Sequence, residues 1–157
     1  MIDLFRGEYS FLSNFHPLQN SIRSGNLILP TNEHFFCVHK TINPDDRLWI
    51  AGQPTPGLAK KAAGPNGIDG RKIVLRPDWN EVNKHVMFTG LVLKFMANYD
   101  IAVKLMETRP KRLVEGNWWH DNKWGNCTCI QCTNKPGQNH LGRNLELVRE
   151  LLFTIRI

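Results

Sequence analysis

The apolar positions near the start of the chain form short runs rather than a helical stripe. Between residues 2 and 29, Gly, Asn, Ser and Pro interrupt these runs every few residues. Short apolar runs bounded by turn residues are typical of short strands joined by turns. We therefore predict strands at residues 5–12, 21–23 and 27–29.

From residue 30 onward, the apolar positions follow helical spacing, and start and stop signals of helices accompany them. Thr31 after Pro30 is a small polar N-cap, and Pro44 stops the first helix. Asp78, followed three residues later by Glu81, matches a capping box and starts the longest helix. The predicted helices cover residues 31–41, two stretches within 45–63, 78–98, a short segment from 100, and the chain after 139.

Residues 116–139 are polar and aromatic, with no apolar period. A loop of this length is usually functional or disordered, and its tryptophans argue against disorder. Helix dominates elsewhere. We therefore predict an α+β fold class, predominantly helical with short N-terminal strands. The 157 residues match the size of one domain, so we expect a single domain over residues 1–157.

Composition excludes several classes of protein. With 41% apolar and 22% charged residues, the chain resembles a globular domain rather than a disordered one. No apolar run reaches the length of a membrane span, and the N-terminus lacks the pattern of a signal peptide. We expect a cytoplasmic protein with no membrane partner and with reduced cysteines. The net charge of +6 is compatible with a polyanionic partner, but equally with simple solubility.

Three polar segments carry candidate chemistry: residues 11–15, residues 30–40, and residues 121–125 together with 137–142. On the first predicted helix, Glu33 and Lys40 are seven residues apart and share a face, with Phe36 and Cys37 between them. They can line a cleft, or Glu33 can simply serve the helix dipole while Lys40 is a solvated charge. In the long loop, Trp124 is suited to stack on a flat ligand such as a base.

The start of the last predicted helix also has two interpretations. Gly137, Asn139 and Gly142 surround this start, where free backbone amides can bind an anion. The same residues can equally form an ordinary helix cap with turn glycines. The GxNxxG pattern alone does not decide between the two.

Seven short motifs follow one another along the chain. They are FLSNF, PTNEHFF-x3-K, W-x6-VM, LKF, LVE, D-x2-WG and G-x-N-x-LG-x6-R. This series resembles the NADAR (YbiA-like) superfamily, and it runs from about Phe5 to Arg149. Each motif is short, and their joint order and spacing carry the resemblance.

The resemblance implies a compact, mostly helical α+β domain and N-glycosidase chemistry. It implies a substrate that contains ADP-ribose or a ribosyl phosphate: an ADP-ribosyl adduct, such as ADP-ribosylated guanine in DNA, or a phosphorylated riboflavin-pathway intermediate. Glu33, Lys40 and Asp121 then become candidate catalytic residues. The candidate substrate-binding residues are Arg6, Asn14, Phe15, His34, Trp124, Gly125, Asn139 and Gly142.

Roles for these residues follow from the chemistry of a ribosyl C1′–N bond. The bond breaks through an oxocarbenium-like state, which a nearby carboxylate stabilises while it activates water. Glu33 is the first candidate and Asp121 the second. Lys40 has two possible roles: it binds a phosphate or leaving group as a cation, or it attacks C1′ and passes through an imine. Phe15 and Trp124 are suited to stack on the base.

Three cysteines stand close together inside the long loop. Cys127, Cys129 and Cys132 fall within six residues, which suggests a structural zinc site. The spacing does not identify a fourth ligand, and the candidates are His120, His140 and Cys37. The alternative is a loop with incidental free thiols. The implied reaction requires no cofactor.

Two other functions remain open at this point. One is a binding module without catalysis that holds ADP-ribose, NAD or modified nucleic acid. The other is a zinc-stapled nucleic-acid-binding domain built on the cysteine cluster. The sequence does not determine the oligomeric state.

Overall fold

Helices make up most of the regular secondary structure, as the apolar spacing predicts. The computed structural model describes residues 1–155. In this part of the chain the α-helices are α1 (Asn32–Val38), α2 (Pro44–Ala51), α3 (Pro56–Ala62), α4 (Trp79–Ala97), α5 (Tyr99–Glu107) and α6 (His140–Ile155). The strands are β1 (Ile22–Ser24), β2 (Leu27–Leu29), β3 (Gly116–Asn117) and β4 (Asn126–Cys127), and two short 3₁₀ helices span Gly7–Leu12 and Ile130–Cys132. The predicted α+β, mostly helical class is confirmed.

Residues 14–98 form one compact unit. Its centre is α1, in which all seven residues are buried, and α1 contacts α2, α3 and α4. The antiparallel hairpin of β1 and β2 pairs Ile22 with Leu29, and both side chains are buried. Gly25 turns this hairpin with a φ of 59°, a left-handed conformation that glycine adopts without a steric penalty. The short helix α1 is thus held by packing rather than by its own helix propensity.

Residues 1–13 and 99–155 form a second compact unit. Here α5 packs against α6, and Leu105, Leu145 and Leu152 are fully buried. The N-terminus is anchored by a parallel bridge between Ile2 and Leu113. The parallel pair of β3 and β4 gives the long polar segment a framework that its sequence did not reveal.

The predicted strand at residues 5–12 is wrong. Residues 7–12 form a 3₁₀ helix instead, which begins at Gly7, a residue in the left-handed region with a φ of 56°. The amide of Tyr9 donates to the carbonyl oxygen of Arg6 at 3.0 Å, and this closes the first turn. The turn buries Phe11 and Leu12 side by side. Apolar neighbours fit this geometry as well as they fit a strand, so the pattern was ambiguous.

Two details of the predicted helices also differ. The first helix ends at Val38 rather than at residue 41. Asp78 precedes α4 as predicted, but its carboxylate makes no capping hydrogen bond. It accepts two bonds from the guanidinium of Arg76, at 2.6 and 2.9 Å. A charge-assisted fork of this kind is stronger than a single bond to a backbone amide, which explains why the capping box is absent.

The prediction of one domain over residues 1–157 stays a prediction, and residues 156 and 157 lie outside the described part. Within residues 1–155, no single helix has the length and apolar character needed to cross a bilayer. Only α4 and α5, taken together as a bent pair, satisfy that test by length and composition.

Candidate active site

The predicted site residues are divided between the two units. Asn14, Phe15, Glu33, His34 and Lys40 lie in residues 14–98. The other unit carries Arg6, Asp121, Trp124, Gly125, Asn139 and Gly142, together with the cysteine cluster.

Glu33 is a buried carboxylate in the first turn of α1. The hydroxyl of Thr31 caps the helix by accepting from the amide of His34 at 3.2 Å. The amide of Glu33 itself donates to the carbonyl oxygen of Asn14 at 3.0 Å. The thiol of Cys37, one turn later, donates to Oε1 of Glu33 at 3.7 Å. With a relative exposure of 7%, Glu33 is far more buried than an ordinary dipole-stabilising carboxylate.

The charges of Glu33, Lys40 and Lys60 all influence the pKa of the buried thiol of Cys37. Burial is the largest cause that raises the pKa of Cys37, and the negative charge of Glu33 raises it further. The positive charges of Lys40 and Lys60 act in the opposite direction. An anion and two cations therefore share one electrostatic environment around Cys37. Cys37 remains a neutral thiol in this setting, which argues against a nucleophilic role for it.

Lys40 follows the end of α1 rather than lying on its face. Its amide donates to the carbonyl oxygen of Cys37 at 3.1 Å, and its Nζ lies 5.5 Å from the ring centroid of Phe36. The aromatic ring attracts the charged form of the amine.

Lys60 was missed by the sequence analysis. Its Nζ lies 5.9 Å from the ring of Phe15, which is 42% exposed. Lys60 and its neighbour Lys61 look alike in sequence on the short helix α3. No local signal distinguishes them, because the contact joins residues that are 45 positions apart.

Asn14 has partners inside the protein. Its Oδ1 accepts from Nδ2 of Asn32 at 2.8 Å, and its own Nδ2 lies 3.4 Å from the sulfur of Met87. Gly90 on α4 allows this close packing, since a Cβ there would collide with Asn32 and Phe35. This network supports the segment that leads to Glu33.

His34 is fully buried and hydrogen-bonded through both ring nitrogens. The carbonyl oxygen of Gln53 accepts from Nε2 at 2.8 Å, so Nε2 carries the hydrogen. Nδ1 then accepts from the hydroxyl of Thr31, also at 2.8 Å. Burial lowers the pKa of His34, and the bond to Gln53 only partly offsets this. In this arrangement His34 ties α1 to the chain after α2, and its predicted substrate contact stays a prediction.

In the other unit, Asp121 organises a tight turn. Its Oδ1 accepts from the amides of Lys123 and Trp124 at 3.1 and 2.9 Å. The side chain of Asn117 clamps the backbone of Asp121 through both its carboxamide atoms. Asp121 is therefore half-buried and well oriented, but one of its oxygens already serves the turn.

Aromatic and basic side chains lie around this turn. The indole of Trp124 lies edge-on to His140, with a centroid distance of 6.0 Å, and Nζ of Lys123 lies 5.3 Å from its ring. The guanidinium of Arg6 stacks over Trp118 at 4.2 Å. Trp118 also lines a cavity of about 510 Å³ in the same unit. Trp118 thus presents an indole to this cavity, and the guanidinium of Arg6 lies against that indole.

The start of α6 forms a cap rather than an anion site. The amides of Asn139, His140 and Leu141 donate to the carbonyl oxygens of residues 125, 123 and 124. Asn139 holds a left-handed conformation with a φ of 50°. Its Oδ1 accepts from the amide of Glu115, and its Nδ2 donates to the carbonyl oxygen of Leu113. The amides of residues 139–141 are thus occupied, which favours the cap interpretation.

The two motif glycines allow backbones to approach closely. A Cβ at Gly142 would collide with the carbonyl oxygen of Leu113, and one at Gly125 with that of Glu115. The pattern of these glycines is therefore explained by packing. Their contact with substrate stays a prediction.

The cysteine cluster gains one member in the structure. The ligand atoms of His120, Cys127, Cys129 and Cys132 all lie within 4.8 Å of one another. Neither His140 nor Cys37, the other candidates for a fourth ligand, belongs to this group. The described residues therefore contain a group of side chains that can hold a metal ion, as expected.

Lys94 was not considered as a site residue in the sequence analysis. It lies in α4 with no exposed surface, and burial lowers its pKa to about 7. The LKF motif that contains it therefore marks a buried amine close to its neutral form at physiological pH.

Comparison with known proteins identifies the family of this chain. The NADAR domain family matches residues 4–153. The N-glycosidase Npun_R5314 of Nostoc punctiforme is 32% identical over 142 residues, which are 90% of this chain and 85% of that protein. The N-glycosidase YbiA of Escherichia coli K12 is 32% identical over 123 residues, which are 78% of this chain and 70% of that protein.

A solved structure shows the same fold. The NMR structure of E. coli YbiA superposes with a TM-score of 0.78 at 28% identity, and the match covers 99% of this chain and 89% of that one. Fold and relatives together define a YbiA-like N-glycosidase, a hydrolase of N-glycosyl bonds. The chain belongs to the NADAR family. The resemblance, the fold class and the enzyme class predicted from the sequence are confirmed.

Proposed function

We propose that this chain hydrolyses the C1′–N bond of a ribosyl group that carries phosphate. The substrate is an ADP-ribosyl adduct, such as ADP-ribosylated guanine in DNA, or a phosphorylated riboflavin-pathway intermediate. The observation that carries this proposal is the buried carboxylate of Glu33, with Lys40 and Lys60 in the same electrostatic environment. A buried anion of this kind suits a reaction in which positive charge develops on the sugar.

Glu33 performs the central step in this proposal. As the C1′–N bond lengthens, its carboxylate stabilises the oxocarbenium-like sugar, and it accepts a proton from the attacking water. The water oxygen forms the new bond to C1′, and the electron pair of the old bond leaves with the base nitrogen, which takes up a proton from solvent. Glu33 then releases to solvent the proton that it accepted, which restores its carboxylate. Asp121 is the second carboxylate, held in place by its turn.

Lys40 acts as a cation in this proposal. Its Nζ lies 5.5 Å from the ring centroid of Phe36, and an aromatic ring attracts a cation at this distance. Lys60 supplies a second positive charge beside Phe15. Two cations suit a substrate with phosphate groups, and the net charge of +6 agrees with this choice.

Aromatic side chains supply the recognition of the base. Phe15 is exposed next to a cation, and Trp124 is half-buried in the turn of Asp121. Both offer a flat face to a purine or pyrimidine. Arg6 is suited to hold a phosphate above Trp118. His34 and Asn14 hold α1 in place through their hydrogen bonds. Gly125, Asn139 and Gly142 shape the backbone around the turn of Asp121.

We propose that the reaction uses no cofactor, because carboxylates and lysines suffice for each step. The structural zinc expected from the cysteines takes no part in these steps. None of the four cysteines takes part in a disulfide, and we propose a cytoplasmic location, where cysteines stay reduced.

The decisive experiment offers both substrate classes to the purified protein. ADP-ribosylated guanine DNA and the phosphorylated pyrimidine intermediates of riboflavin synthesis are incubated separately, and the released base and free ribosyl product are quantified. We expect turnover of one class, and a loss of at least about 100-fold for Glu33→Gln.

A matched control is Glu81→Gln, which changes an exposed carboxylate in the first turn of α4 and should leave turnover unchanged. Tight binding without release of base from either substrate would refute the hydrolase proposal and favour a binding module.

A further inference from the structure

The long polar segment brings four metal-binding side chains to one place. His120, Cys127, Cys129 and Cys132 come from thirteen consecutive residues, yet their ligand atoms all lie within 4.8 Å of one another. Nδ1 of His120 lies 3.3 Å from the sulfur of Cys129 and 3.5 Å from that of Cys132.

These distances fit the edges of a zinc tetrahedron. Zinc binds sulfur at about 2.3 Å and nitrogen at about 2.0–2.1 Å, so tetrahedral ligand atoms lie about 3.6–3.8 Å apart. The longest separation, 4.8 Å, then needs a contraction of only about 1 Å. Side-chain rotation on an irregular loop supplies such a movement without a change of fold.

The backbone explains how this short sequence assembles the group. The 3₁₀ turn at Ile130–Cys132 is closed by a bond from the amide of Cys132 to the carbonyl oxygen of Cys129, at 3.0 Å. This turn puts both thiols on one side of the chain. The amide of Cys127 donates to the side chain of Asn122 at 2.9 Å, which holds the first cysteine against the same loop.

His120 completes the group through an unusual backbone conformation. Its φ of 69° lies in the left-handed region, which costs a residue with a Cβ about 1 kcal/mol. Residues keep such conformations when the surrounding structure or a ligand requires them. Here the conformation directs the imidazole towards the thiols of Cys129 and Cys132.

The chemistry of the donor set favours zinc. Three thiolates and one imidazole in a tetrahedral arrangement are typical of structural zinc sites, whereas hard cations prefer oxygen ligands. A disulfide between any two of the cysteines would leave the third thiol and His120 without a role.

We propose that His120, Cys127, Cys129 and Cys132 hold one structural zinc ion that fixes the turn of Asp121. Four protein ligands fill the tetrahedron and leave no position for a water molecule, so the ion does not act as a Lewis acid. His120 immediately precedes Asp121 in the sequence. The ion therefore connects the start of the Asp121 turn to the segment that ends at Cys132. The relevance of the turn for catalysis rests on the proposed function, whereas binding of the ion does not.

The first test is elemental analysis of protein purified without chelator. We expect about one zinc per chain, together with a thiolate-to-metal charge-transfer band after replacement by cobalt. His120→Ala removes the exposed ligand without disturbing a buried thiol, and it should weaken zinc affinity by at least about tenfold. Cys129→Ser should do the same. The controls Cys37→Ala and His140→Ala change the two other sequence candidates and should retain full zinc.

The second test asks whether the ion orders the turn, and it does not depend on activity. Trypsin should cleave after Lys123, which is exposed, at least about tenfold faster in zinc-free protein than in zinc-loaded protein. His120→Ala should be cleaved rapidly in both conditions. Protein that neither contains zinc nor takes it up from solution would overturn the site. Bound zinc with unchanged cleavage would overturn its role in fixing the turn. Neither outcome changes what the hydrolase assay says about the proposed function.

Discussion

The carboxamide of Asn117 forms two hydrogen bonds with the backbone of Asp121. Its Nδ2 donates to the carbonyl oxygen of Asp121 at 2.8 Å, and its Oδ1 accepts from the amide of Asp121 at 3.1 Å. Asn117 is itself buried, with a relative exposure of 1%. The pair fixes where the carboxylate of Asp121 lies, so the proposed second carboxylate depends on a residue that never needs to touch substrate.

Replacing Asn117 should therefore impair both stability and turnover. Asn117→Ala leaves two backbone groups of Asp121 without their partner, which costs about 1–3 kcal/mol of unfolding free energy. We expect kcat to fall at least about tenfold with a smaller change in KM, because the carboxylate loses its orientation. Urea unfolding and steady-state kinetics measure the two effects.

Asn134→Ala is the control for that variant, since Asn134 is exposed in the same segment. It should change neither quantity. Unfolding curves of Asn117→Ala that coincide with those of the original protein would contradict the clamp.

Lys40 can be tested as a cation against its alternative role as a nucleophile. Lys40→Arg keeps the positive charge but cannot form an imine, and we expect it to retain turnover within about tenfold. Lys40→Met removes the charge and should lose at least about 100-fold. Borohydride added during turnover should trap no covalent adduct on the original protein, as mass spectrometry will show.

Lys61→Met removes an exposed lysine of α3 and should behave like the original protein. A ribosyl adduct that borohydride traps on the original protein but not on Lys40→Arg would make Lys40 the nucleophile.

Burial of Lys94 should produce a pH-dependent stability. In the folded protein the amine loses its proton near pH 7, whereas in the unfolded chain it keeps the proton up to about pH 10.5. Between these values unfolding takes up a proton, so the free energy of unfolding rises with pH by up to about 1.4 kcal/mol per pH unit. Lys94→Met lacks this contribution.

Urea unfolding of both proteins at several pH values between 7 and 10 measures this dependence. The difference between the original protein and Lys94→Met should grow in favour of the original protein as the pH rises. Parallel curves would show that Lys94 holds its proton in the fold.

Gly142 tests whether the last motif serves packing. Gly142→Ala places a Cβ against the carbonyl oxygen of Leu113 and the side chain of Asn139, so we expect a loss of at least about 2 kcal/mol in unfolding free energy. Gly57→Ala is the matched control, because its Cβ would have only one neighbour, at 3.9 Å, and alanine favours the helix. Equal losses of stability for the two variants in thermal unfolding would show that close packing is not the reason for a glycine at position 142.

Much of the fold was accessible from local patterns. The apolar stripes of α4 and α6 and the turn residues around β1 and β2 predicted these elements within a few residues. Local signals failed at residues 5–12, where neighbouring apolar side chains suit a 3₁₀ helix as well as a strand. They failed again at Asp78, because Arg76 competes for the carboxylate.

The sequence by itself determined which residue types are available: a glutamate at the start of a helix, a lysine seven residues later, an aspartate in a polar loop and three closely spaced thiols. Only the tertiary structure decided that Lys60 lies beside Phe15, that Asn139 and Gly142 join two backbone segments, and that His120 is the fourth member of the cysteine cluster. The physical reason is distance along the chain. Helix spacing and turn chemistry act over a few residues, whereas these contacts depend on how remote segments pack or on one left-handed residue that no local propensity predicts.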